Sequence, residues 1–323
     1  MSRDLVVALS GGIGGAKLAL GLSRILPAGD LLVVANVGDD FEHFGLHISP
    51  DADTLMYTLA GLDNTKLGWG RQDETWAFME TLSALGGEDW FRLGDRDLAV
   101  HVERTRRLRQ GESLSTITAD FCRRLGVGPR VLPATDDRLR TRLRTDEGWL
   151  DFQDYFVRLQ CRPAVRELAF DGADHARPHQ DLLAALAEER LRAVIICPSN
   201  PFISVEPILA VPGLREALFA CAAPVIAVSP IIGGRAVKGP AAEMMTDLGM
   251  IPSAAVVAER YGDLLDGYVM DDGDAEEGAR VTPKVTLAPT LMTTLAEREQ
   301  LARTVLEAAD ALSSSKHKRD LVA

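Results

Sequence analysis

The first 36 residues constrain the fold most, because they read as a strand, a glycine-rich turn, a helix and a second strand. Continuous apolar runs at residues 5–9 and 31–35 are typical of strands buried on both faces of a sheet. A helix is predicted between them at about residues 16–26, and Pro27 ends it. The opening of the chain therefore predicts a β-α-β unit.

The same pattern returns in the second half of the chain. Apolar runs at residues 193–196 and 225–228 flank a helical pattern at residues 213–221. Buried strands that alternate with helices are typical of a parallel sheet covered by helices on both sides. We therefore expect an α/β fold with a mostly parallel, doubly wound sheet.

Residues between the two parts of this sheet follow other patterns. Amphipathic helical periodicity covers residues 73–85, 98–108 and 114–125, whereas residues 140–144 and 151–156 alternate between polar and apolar side chains. Alternation with a period of two indicates antiparallel strands. The middle of the chain is therefore expected to form a mixed α+β insertion.

These patterns divide the chain into predicted parts. Residues 1–52 and 171–312 form the core that contains the sheet, and residues 53–170 form the inserted α+β subdomain. The core ends in a helix predicted over residues 295–312. Residues 313–323 are rich in serine and basic residues, and we expect a flexible tail there.

All four predicted core strands run into loops rich in glycine or polar residues. The loops begin at Ser10, Asn36, Cys197 and Ser229. Because the carboxyl ends of parallel strands lie at one edge of a sheet, these loops are expected to meet there. Open α/β sheets bind ligands at that edge, and we expect the active site at it.

The first of these loops favours binding of a phosphate group. Gly11, Gly12 and Gly14 allow the backbone to approach an anion closely, and the helix that follows directs its N–H groups toward it. Lys17 adds positive charge, but it stands where the dinucleotide fingerprint has a third glycine. Leu18 follows it where a P-loop has Ser or Thr. A tight turn without a ligand remains the alternative interpretation.

Four aspartates follow the second strand. Asp39 and Asp40 end it, and Asp51 and Asp53 follow shortly afterwards. Carboxylates near a phosphate repel one another unless a cation lies between them, and Mg²⁺ held by carboxylates and phosphates is the usual arrangement. The pattern therefore indicates a Mg²⁺ site. Alternatively, Asp53 or Thr54 caps the helix predicted from residue 55.

Asp95, Arg96 and Trp69 are further candidates for the site. Either Asp95 or Arg96 faces the ligand, or Asp97 caps the helix predicted from residue 98 and Arg96 pairs with a neighbour. Trp69 either stacks on a flat ring or belongs to the core or a lid. The sequence leaves these alternatives open.

Composition excludes several classes of function. Lys and Arg number 35 against 47 Asp and Glu, which gives a formal charge of −12 and disfavours binding of nucleic acid. The four cysteines form no C-x-x-C pair, which argues against a zinc site and a disulfide framework and for a reducing compartment. The first apolar run is too short for a signal peptide or a membrane span, so we expect a cytoplasmic protein without a membrane partner.

Seven short motifs occur in a distinctive order along the chain. They are SGG at residues 10–12, NVGDD at 36–40, SPDADT at 49–54, LGDRD at 93–97, QD at 153–154, PSNP at 198–201 and SPIIG at 229–233. Together they resemble the CofD/FbiA family, the 2-phospho-L-lactate transferases of coenzyme F-420 biosynthesis. The resemblance extends over nearly the whole chain, to about residue 312.

The resemblance implies a Rossmann-like core, a Mg²⁺-dependent reaction and a homodimer. Members of this family take a guanosine diphosphate conjugate, such as lactyl-2-diphospho-5′-guanosine, and the deazaflavin alcohol Fo. The terminal ribityl hydroxyl of Fo attacks the phosphorus that carries the lactyl group, and GMP leaves. Phospholactyl, phosphoenolpyruvyl and phosphoglyceryl donors remain open.

We hypothesise that Asp39, Asp40, Asp51 and Asp53 bind the metal and orient the hydroxyl. Asp40, Asp51 and Asp53 are assigned to catalysis, with Asp53 nearest to the attacking hydroxyl. The residues assigned to binding the phosphates, the nucleotide or the deazaflavin are Gly11, Gly12, Gly14, Lys17, Asn36, Thr54, Trp69, Asp95, Arg96, Ser199, Asn200, Pro201, Ser229, Pro230, Ile231 and Gly233.

A regulator that binds a nucleotide sugar without catalysis is the alternative, because the gluconeogenesis-factor proteins resemble the same core. Those proteins tend to follow the acidic pair with a loop rich in glycine and serine, whereas this chain continues Phe41-Glu42-His43-Phe44. They also lack the motifs of the middle region. The sequence therefore favours the transferase.

Overall fold

The computed structural model describes residues 4–320 of the chain, with side chains described as far as residue 313. Its strands, numbered in chain order, are β1 Leu5–Ser10, β2 Leu31–Ala35, β3 Phe41–His43, β4 Leu46–Ile48, β5 Arg130–Pro133, β6 Arg140–Thr145, β7 Gly148–Asp151, β8 Val165–Asp171, β9 Leu191–Ile196, β10 Val225–Val228, β11 Ile231–Ile232, β12 Arg235–Ala236, β13 Gly267–Met270 and β14 Lys284–Leu287. Its α-helices are α1 Gly12–Ile25, α2 Pro50–Ala60, α3 Ala77–Ala84, α4 Asp95–Arg109, α5 Leu114–Arg124, α6 Gln180–Ala187, α7 Glu206–Leu209, α8 Leu214–Ala220, α9 Ala241–Asp247, α10 Ala254–Tyr261 and α11 Leu295–Asp320.

Seven strands form one sheet in the order β14-β13-β10-β9-β1-β2-β5. Every neighbouring pair in it is parallel. The four strands predicted from the sequence, β1, β2, β9 and β10, lie side by side, which confirms the mostly parallel sheet. Chain order runs outward in both directions from β1 and β9, so the topological switch point lies between these two strands.

Alternate residues of the strands pack into two separate cores. Val6 and Ala8 of β1 belong to one core, which also contains residues of α1, α2 and α11. Val7 and Leu9 belong to the other core, with residues of α6, α8, α9 and α10. Because both faces of the sheet are covered, β1 and β2 are apolar and buried along almost their whole length. The sheet is therefore doubly wound, as the sequence predicts.

The middle of the chain forms helices and a second sheet. Strands β7, β6 and β8 make an antiparallel sheet with β6 in the centre, which confirms the antiparallel strands. Strand β5, however, lies within residues 53–170 and forms the edge of the central sheet. The segment predicted as an insertion thus contributes one strand to the core.

Two predicted elements of this region have other bounds. The helix predicted over residues 73–85 covers only Ala77–Ala84, since Asp73 has a left-handed φ of 57° and Trp76 a non-helical φ of −128°. The strand predicted over residues 151–156 is wrong beyond residue 151, since a π-helical turn covers Asp154–Arg158. Phe152 and Tyr155 are both buried, which is the spacing of a helical turn.

The last helix is longer than the sequence predicts. We expected it to end at residue 312, but α11 continues to Asp320. Residues 313–320 include neither glycine nor proline, so nothing in them breaks a helix. Residues 321–323 of the predicted tail lie outside the described residues. Within residues 4–320, none of the helices combines the length and the apolar character that crossing a bilayer requires.

Candidate active site

The loop after β1 is joined to the loop after β9 at the switch point. The N–H of Gly11 donates to Ser199 Oγ at 3.1 Å, and that hydroxyl donates to the carbonyl oxygen of Gly11 at 2.8 Å. A Cβ atom at Gly14 would collide with the carbonyl oxygen of Pro198. Gly14 is therefore required for close packing of these two loops, whether or not a phosphate binds.

Asn36 connects the end of β2 with the start of α2. Its Nδ2 donates to Asp39 Oδ1 at 2.7 Å and to Asp51 Oδ2 at 2.9 Å. Its Oδ1 accepts from the N–H of Gly38 at 2.8 Å. The N–H of Gly12 donates to Asp51 Oδ1 at 2.5 Å. The glycine loop and the acidic residues thus form one connected group at the carboxyl edge of the sheet.

Asp39 and Asp51 are buried and adjacent, which makes ionisation of both carboxyl groups unfavourable. Burial raises the pKa of Asp39 well above its ordinary value, and the charges of Asp51 and Asp40 raise it further. Burial also raises the pKa of Asp51 to about 6, against hydrogen bonds from Asn36 and Gly12 that lower it. The pair therefore either keeps a proton or, with both groups ionised, needs a cation beside it.

Asp40 is the third buried carboxylate. Its Oδ2 accepts from Ser49 Oγ at 3.0 Å and lies 3.1 Å from His47 Nε2. Its Oδ1 is buried and has no hydrogen-bond partner among the described residues. Sequence reasoning did not select His47, because a single histidine in a short hairpin is common without a functional role.

Asp53 is paired with an arginine. Both its oxygens accept hydrogen bonds from the guanidinium of Arg104, and Nη1 donates to Oδ2 at 3.0 Å. Burial alone would lower the pKa of Arg104, but the charge and hydrogen bonds of Asp53 raise it. The metal-ligand and catalytic roles predicted for Asp53 are not supported by this geometry. Nor does Asp53 cap α2, because that helix already begins at Pro50.

The pair of Asp53 and Arg104 belongs to a buried network between α2 and α4. His101 Nδ1 lies 3.3 Å from Arg104 Nη1, and His101 Nε2 lies 3.3 Å from Asp97 Oδ2. The hydroxyl of Tyr57 donates to Asp97 Oδ1 at 2.6 Å. Asp53, Asp97 and His101 are close enough to share a metal ion, but the Arg104 guanidinium already supplies the positive charge there. The network fixes α4 against α2.

The connected group around Asn36 suits a hard divalent cation. Asp39 and Asp51 provide carboxylate oxygens, the ligand type that Mg²⁺ prefers, and their raised pKa values indicate a shortage of compensating positive charge. The geometry of α1 leaves the N–H groups of Ile13 and Gly14 without acceptors inside the helix, so that they can donate to an anion. The residues therefore fit Mg²⁺ bound to a phosphate.

A cavity of about 570 Å³ lies beside Asp39 and Asp40. Its wall comes from the end of β2, the hairpin of β3 and β4, the segment 136–141 and the segment 151–154. Gln153 lines it and donates from Nε2 to the carbonyl oxygen of Asp39 at 3.4 Å. A cavity of this size accommodates a substrate of several rings.

Aromatic side chains cover part of this cavity. Phe41, Trp90 and Phe152 line it. The ring of Phe152 stacks on Phe156 with centroids 5.3 Å apart, and Phe41 packs edge-on against Phe91 at 4.8 Å. Such faces suit a planar heterocycle. Trp90 was not selected from the sequence, since a tryptophan before an isolated phenylalanine carries no pattern.

Trp69, Asp95 and Arg96 do not line the large cavity. Trp69 lies beside Trp76, with ring centroids 6.2 Å apart, and lines a separate small pocket. The carboxylate of Asp95 accepts from the N–H groups of Ala77 and Phe78 at 3.1 Å, which caps α3. The N–H of Arg96 donates to a Glu74 oxygen at 2.7 Å. Both residues lie in the first turn of α4, and the roles predicted for them in binding the ligand stay predictions.

Lys17 and Thr54 lie on helices close to the connected group. The Nζ of Lys17 donates to the carbonyl oxygen of Met292 at 2.9 Å, and burial lowers its pKa. Thr54 is half-buried on α2. Neither residue lines the large cavity. Their predicted roles in binding the substrate stay predictions.

The remaining predicted residues lie in the loops after β9 and β10. Asn200 Oδ1 accepts from the N–H of Phe202 at 2.9 Å, so Asn200 caps the turn that begins at Pro201. Ser229 Oγ accepts from the N–H of Ile231 at 3.1 Å and donates to its carbonyl oxygen at 2.9 Å. The loop continues through two further predicted residues, Pro230 and Gly233, and the N–H of Gly233 donates to Asp274 Oδ1 at 2.8 Å. These contacts shape the rim, and the ligand that it binds stays a prediction.

Solved structures with the same architecture exist. The chain is similar to a crystal structure of a UPF0052 family member from Bacillus halodurans, with a TM-score of 0.61 over 95% of this chain and 99% of that one. A second structure from the same organism gives a TM-score of 0.55 over 93% of this chain and 90% of that one. Both are 14% identical in sequence, so the likeness concerns the fold.

Curated relatives are much more similar in sequence. A protein of Streptomyces coelicolor named phosphoenolpyruvate transferase is 41% identical, with 94% of this chain and 98% of that protein covered. A Mycobacterium tuberculosis protein of the same name is 40% identical, with 89% and 93% covered. The family model described as 2-phospho-L-lactate transferase CofD matches residues 6–308. The chain is therefore a member of the CofD family of transferases.

Proposed function

We propose that the chain transfers a phosphoenolpyruvyl, phospholactyl or phosphoglyceryl group from its guanosine diphosphate conjugate to the terminal hydroxyl of the deazaflavin Fo, releasing GMP. The reaction is a Mg²⁺-dependent step of coenzyme F-420 biosynthesis. The observation that carries the proposal is the buried pair Asp39 and Asp51, which joins a glycine loop to a cavity with aromatic walls. The family and the names of the relatives support the class of group transferred.

Each part of the site matches one part of these substrates. The glycine loop at the start of α1 suits the diphosphate, because its helix N-terminus offers N–H donors. The cavity wall of Phe41, Trp90 and Phe152 suits the deazaflavin ring. Asp39 and Asp51 would hold Mg²⁺ between the two. When bound, Mg²⁺ would neutralise charge on the diphosphate during the transfer.

The chain's own residues would position the attacking hydroxyl. The Oδ1 atom of Asp40 is buried, has no partner among the described residues and belongs to a side chain that lines the cavity. Ser49 and His47 hold the other oxygen of Asp40, which fixes the direction of the carboxylate. We assign Asp40 Oδ1 as the acceptor for the hydroxyl proton of Fo. A new P–O bond then forms at the phosphorus that carries the organic acid, and its bond to GMP breaks.

Among the three donors, we propose that the chain uses the phosphoenolpyruvyl conjugate. The relatives that are about 40% identical over nearly the whole chain carry the name phosphoenolpyruvate transferase. The three donors differ by only a few atoms, and the contacts described do not discriminate among them. The donor is therefore assigned from the relatives.

The experiment supplies purified protein with Fo, Mg²⁺ and each guanosine diphosphate conjugate in turn, and measures GMP by chromatography. We expect GMP and the F-420 precursor in equal amounts, and no product after chelation of Mg²⁺ with EDTA. GMP release without a deazaflavin product would contradict the transfer to Fo. Binding of the conjugates without any GMP release would favour the regulator instead.

Asp51→Asn tests the metal site directly. Because Asp51 is one of the two proposed Mg²⁺ ligands, we expect turnover to fall by at least about 10²-fold and the Mg²⁺ requirement to rise. Asp146→Asn is the matched control, because Asp146 is an exposed carboxylate paired with Arg166 in the β6–β7 turn. Equal rates in both variants at saturating Mg²⁺ would exclude Asp51 from the site.

A further inference from the structure

Arg140 stands at the wall of the large cavity with most of its donors unused. Its Nη1 donates to the carbonyl oxygen of Leu139 at 2.7 Å, and among the described residues it forms no ion pair with a carboxylate. A guanidinium has five N–H donors in a planar fork. Arg140 is only partly exposed, and an arginine in such a position ordinarily has an acidic partner. The unused donors are therefore available to an anion in the cavity.

The neighbouring arginine of the same strand, by contrast, forms ion pairs with carboxylates. Arg142 lies two residues along β6, and its guanidinium contacts Asp151 at 3.1 Å and Asp171 at 3.6 Å. Arg140 and Arg142 are directed to the same face of the strand by its period of two. The difference between them is that Arg140 lines the cavity together with Asp39 and Asp40.

The cavity thus combines two kinds of charge. The arginines Arg138 and Arg140 attract an anion, and the field of Asp39 and Asp40 acts on Arg140 without a direct ion pair. The acidic residues of the lining attract a cation; they are Asp39, Asp40, Glu42, Asp136, Asp137, Asp151 and Asp154. Burial lowers the pKa of Arg140, which shows that its charge is poorly solvated. A ligand with a metal-bound diphosphate and a separate anionic group would match both the acidic residues and Arg140.

We propose that Arg140 binds the carboxylate of the group that is transferred. This inference rests on the proposed function, since lactyl, enolpyruvyl and glyceryl donors each carry one carboxylate next to the phosphate ester. A guanidinium binds a carboxylate through two parallel hydrogen bonds, which fixes the plane of the acid. Arg140 therefore selects phosphate esters of 2-hydroxy or 2-enol acids over esters of simple alcohols.

The test compares two ligands that differ only in the carboxylate. One is lactyl-2-diphospho-5′-guanosine, and the other is the isopropyl ester of GDP, in which a methyl group replaces the carboxylate. Binding is measured by calorimetry with Mg²⁺ and without Fo, so that no transfer occurs. In wild type we expect the lactyl ester to bind about 10- to 100-fold more tightly, as charge-assisted hydrogen bonds require.

Arg140→Met should abolish this preference and leave the affinity for the isopropyl ester unchanged. Arg140→Lys should restore part of the preference, because lysine keeps the charge and loses the bidentate geometry. Arg142→Met is the matched control and should behave as wild type. Thermal melting of each variant checks that the fold is intact.

Two results would overturn the assignment. If Arg140→Met weakens binding of both esters by the same factor, the guanidinium contacts the diphosphate or supports the cavity wall. If the variant keeps the full preference for the lactyl ester, the carboxylate lies elsewhere. Failure of the wild type to bind either ester would be a different result, because it would refute the proposed function itself and this inference with it.

Discussion

Replacing Arg104 with methionine would leave the carboxylate of Asp53 buried without its guanidinium. Both side chains are almost inaccessible, with 1% of Arg104 and 4% of Asp53 exposed. Removal of one partner from a buried ion pair costs about 3–5 kcal/mol, because the remaining charge stays in a medium of low dielectric constant. We expect Arg104→Met to lower the free energy of unfolding by about this amount, measured by urea denaturation followed by circular dichroism.

The chain provides a control on the same helix. Arg106 pairs with Glu103 in an exposed position, so Arg106→Met should not measurably change the urea midpoint. The variant that combines Arg104→Met with Asp53→Asn removes both charges of the buried pair. Its loss of stability should be smaller than the sum of the losses in the two single variants, because each single variant leaves one buried charge without its partner.

The size of the change in the free energy of unfolding tests whether the pair of Arg104 and Asp53 is truly buried. If Arg104→Met lowers the free energy of unfolding by less than about 1 kcal/mol, the pair behaves like a surface ion pair. Water would then reach Asp53, and the geometric argument against its role as a metal ligand would fail. A large loss together with normal Mg²⁺ dependence would support a purely structural role for Asp53.

Two further predictions concern the glycine loop and the buried carboxylates. Burial raises the pKa of Asp51 from 3.8 to about 6, so metal-free protein should lose stability as pH rises through this interval, because the folded state binds the extra proton. In melting curves of the wild type, this loss should appear without Mg²⁺ and not with it. In metal-free Asp51→Asn the loss should be smaller than in the metal-free wild type. Gly14→Ala should cost about 1–3 kcal/mol in urea denaturation, because its Cβ would collide with Pro198, while Gly29→Ala meets no atom within 4 Å and should be neutral.

The sequence predicts the central sheet well because each core strand is a continuous apolar run. Burial on both faces requires this composition. The loops rich in glycine or polar residues that begin at residues 10, 36, 197 and 229 then mark the carboxyl edge of the sheet. Strand β5 is not predicted in this way, because it lies at the edge of the sheet, where it has fewer neighbours, and its Arg130 is exposed. Its apolar run, Val131 and Leu132 before Pro133, is too short to indicate a strand buried on both faces.

The candidate site was predictable only where its residues belong to loops at that edge. Asn36, Asp39 and Asp51 meet as expected, since the sheet itself brings their loops together. Trp90 and Arg140 reach the cavity from the middle of the chain, and their placement depends on how the antiparallel sheet packs against the core. Strand direction carries no information about that packing, so Trp90 and Arg140 could not be chosen from the pattern of the chain.

The division of the acidic residues follows from helix geometry once the start of α2 is known. Asp51 and Asp53 both lie in its first turn, which begins at Pro50. Residues two apart on a helix are rotated by about 200°, so their side chains cannot share one small ligand. Asp51 accordingly accepts a hydrogen bond from the N–H of Gly12, and Asp53 accepts hydrogen bonds from the guanidinium of Arg104. Proline at the first helical position is a readable signal, and with it the spacing alone separates the carboxylate that meets the glycine loop from the one that pairs with Arg104.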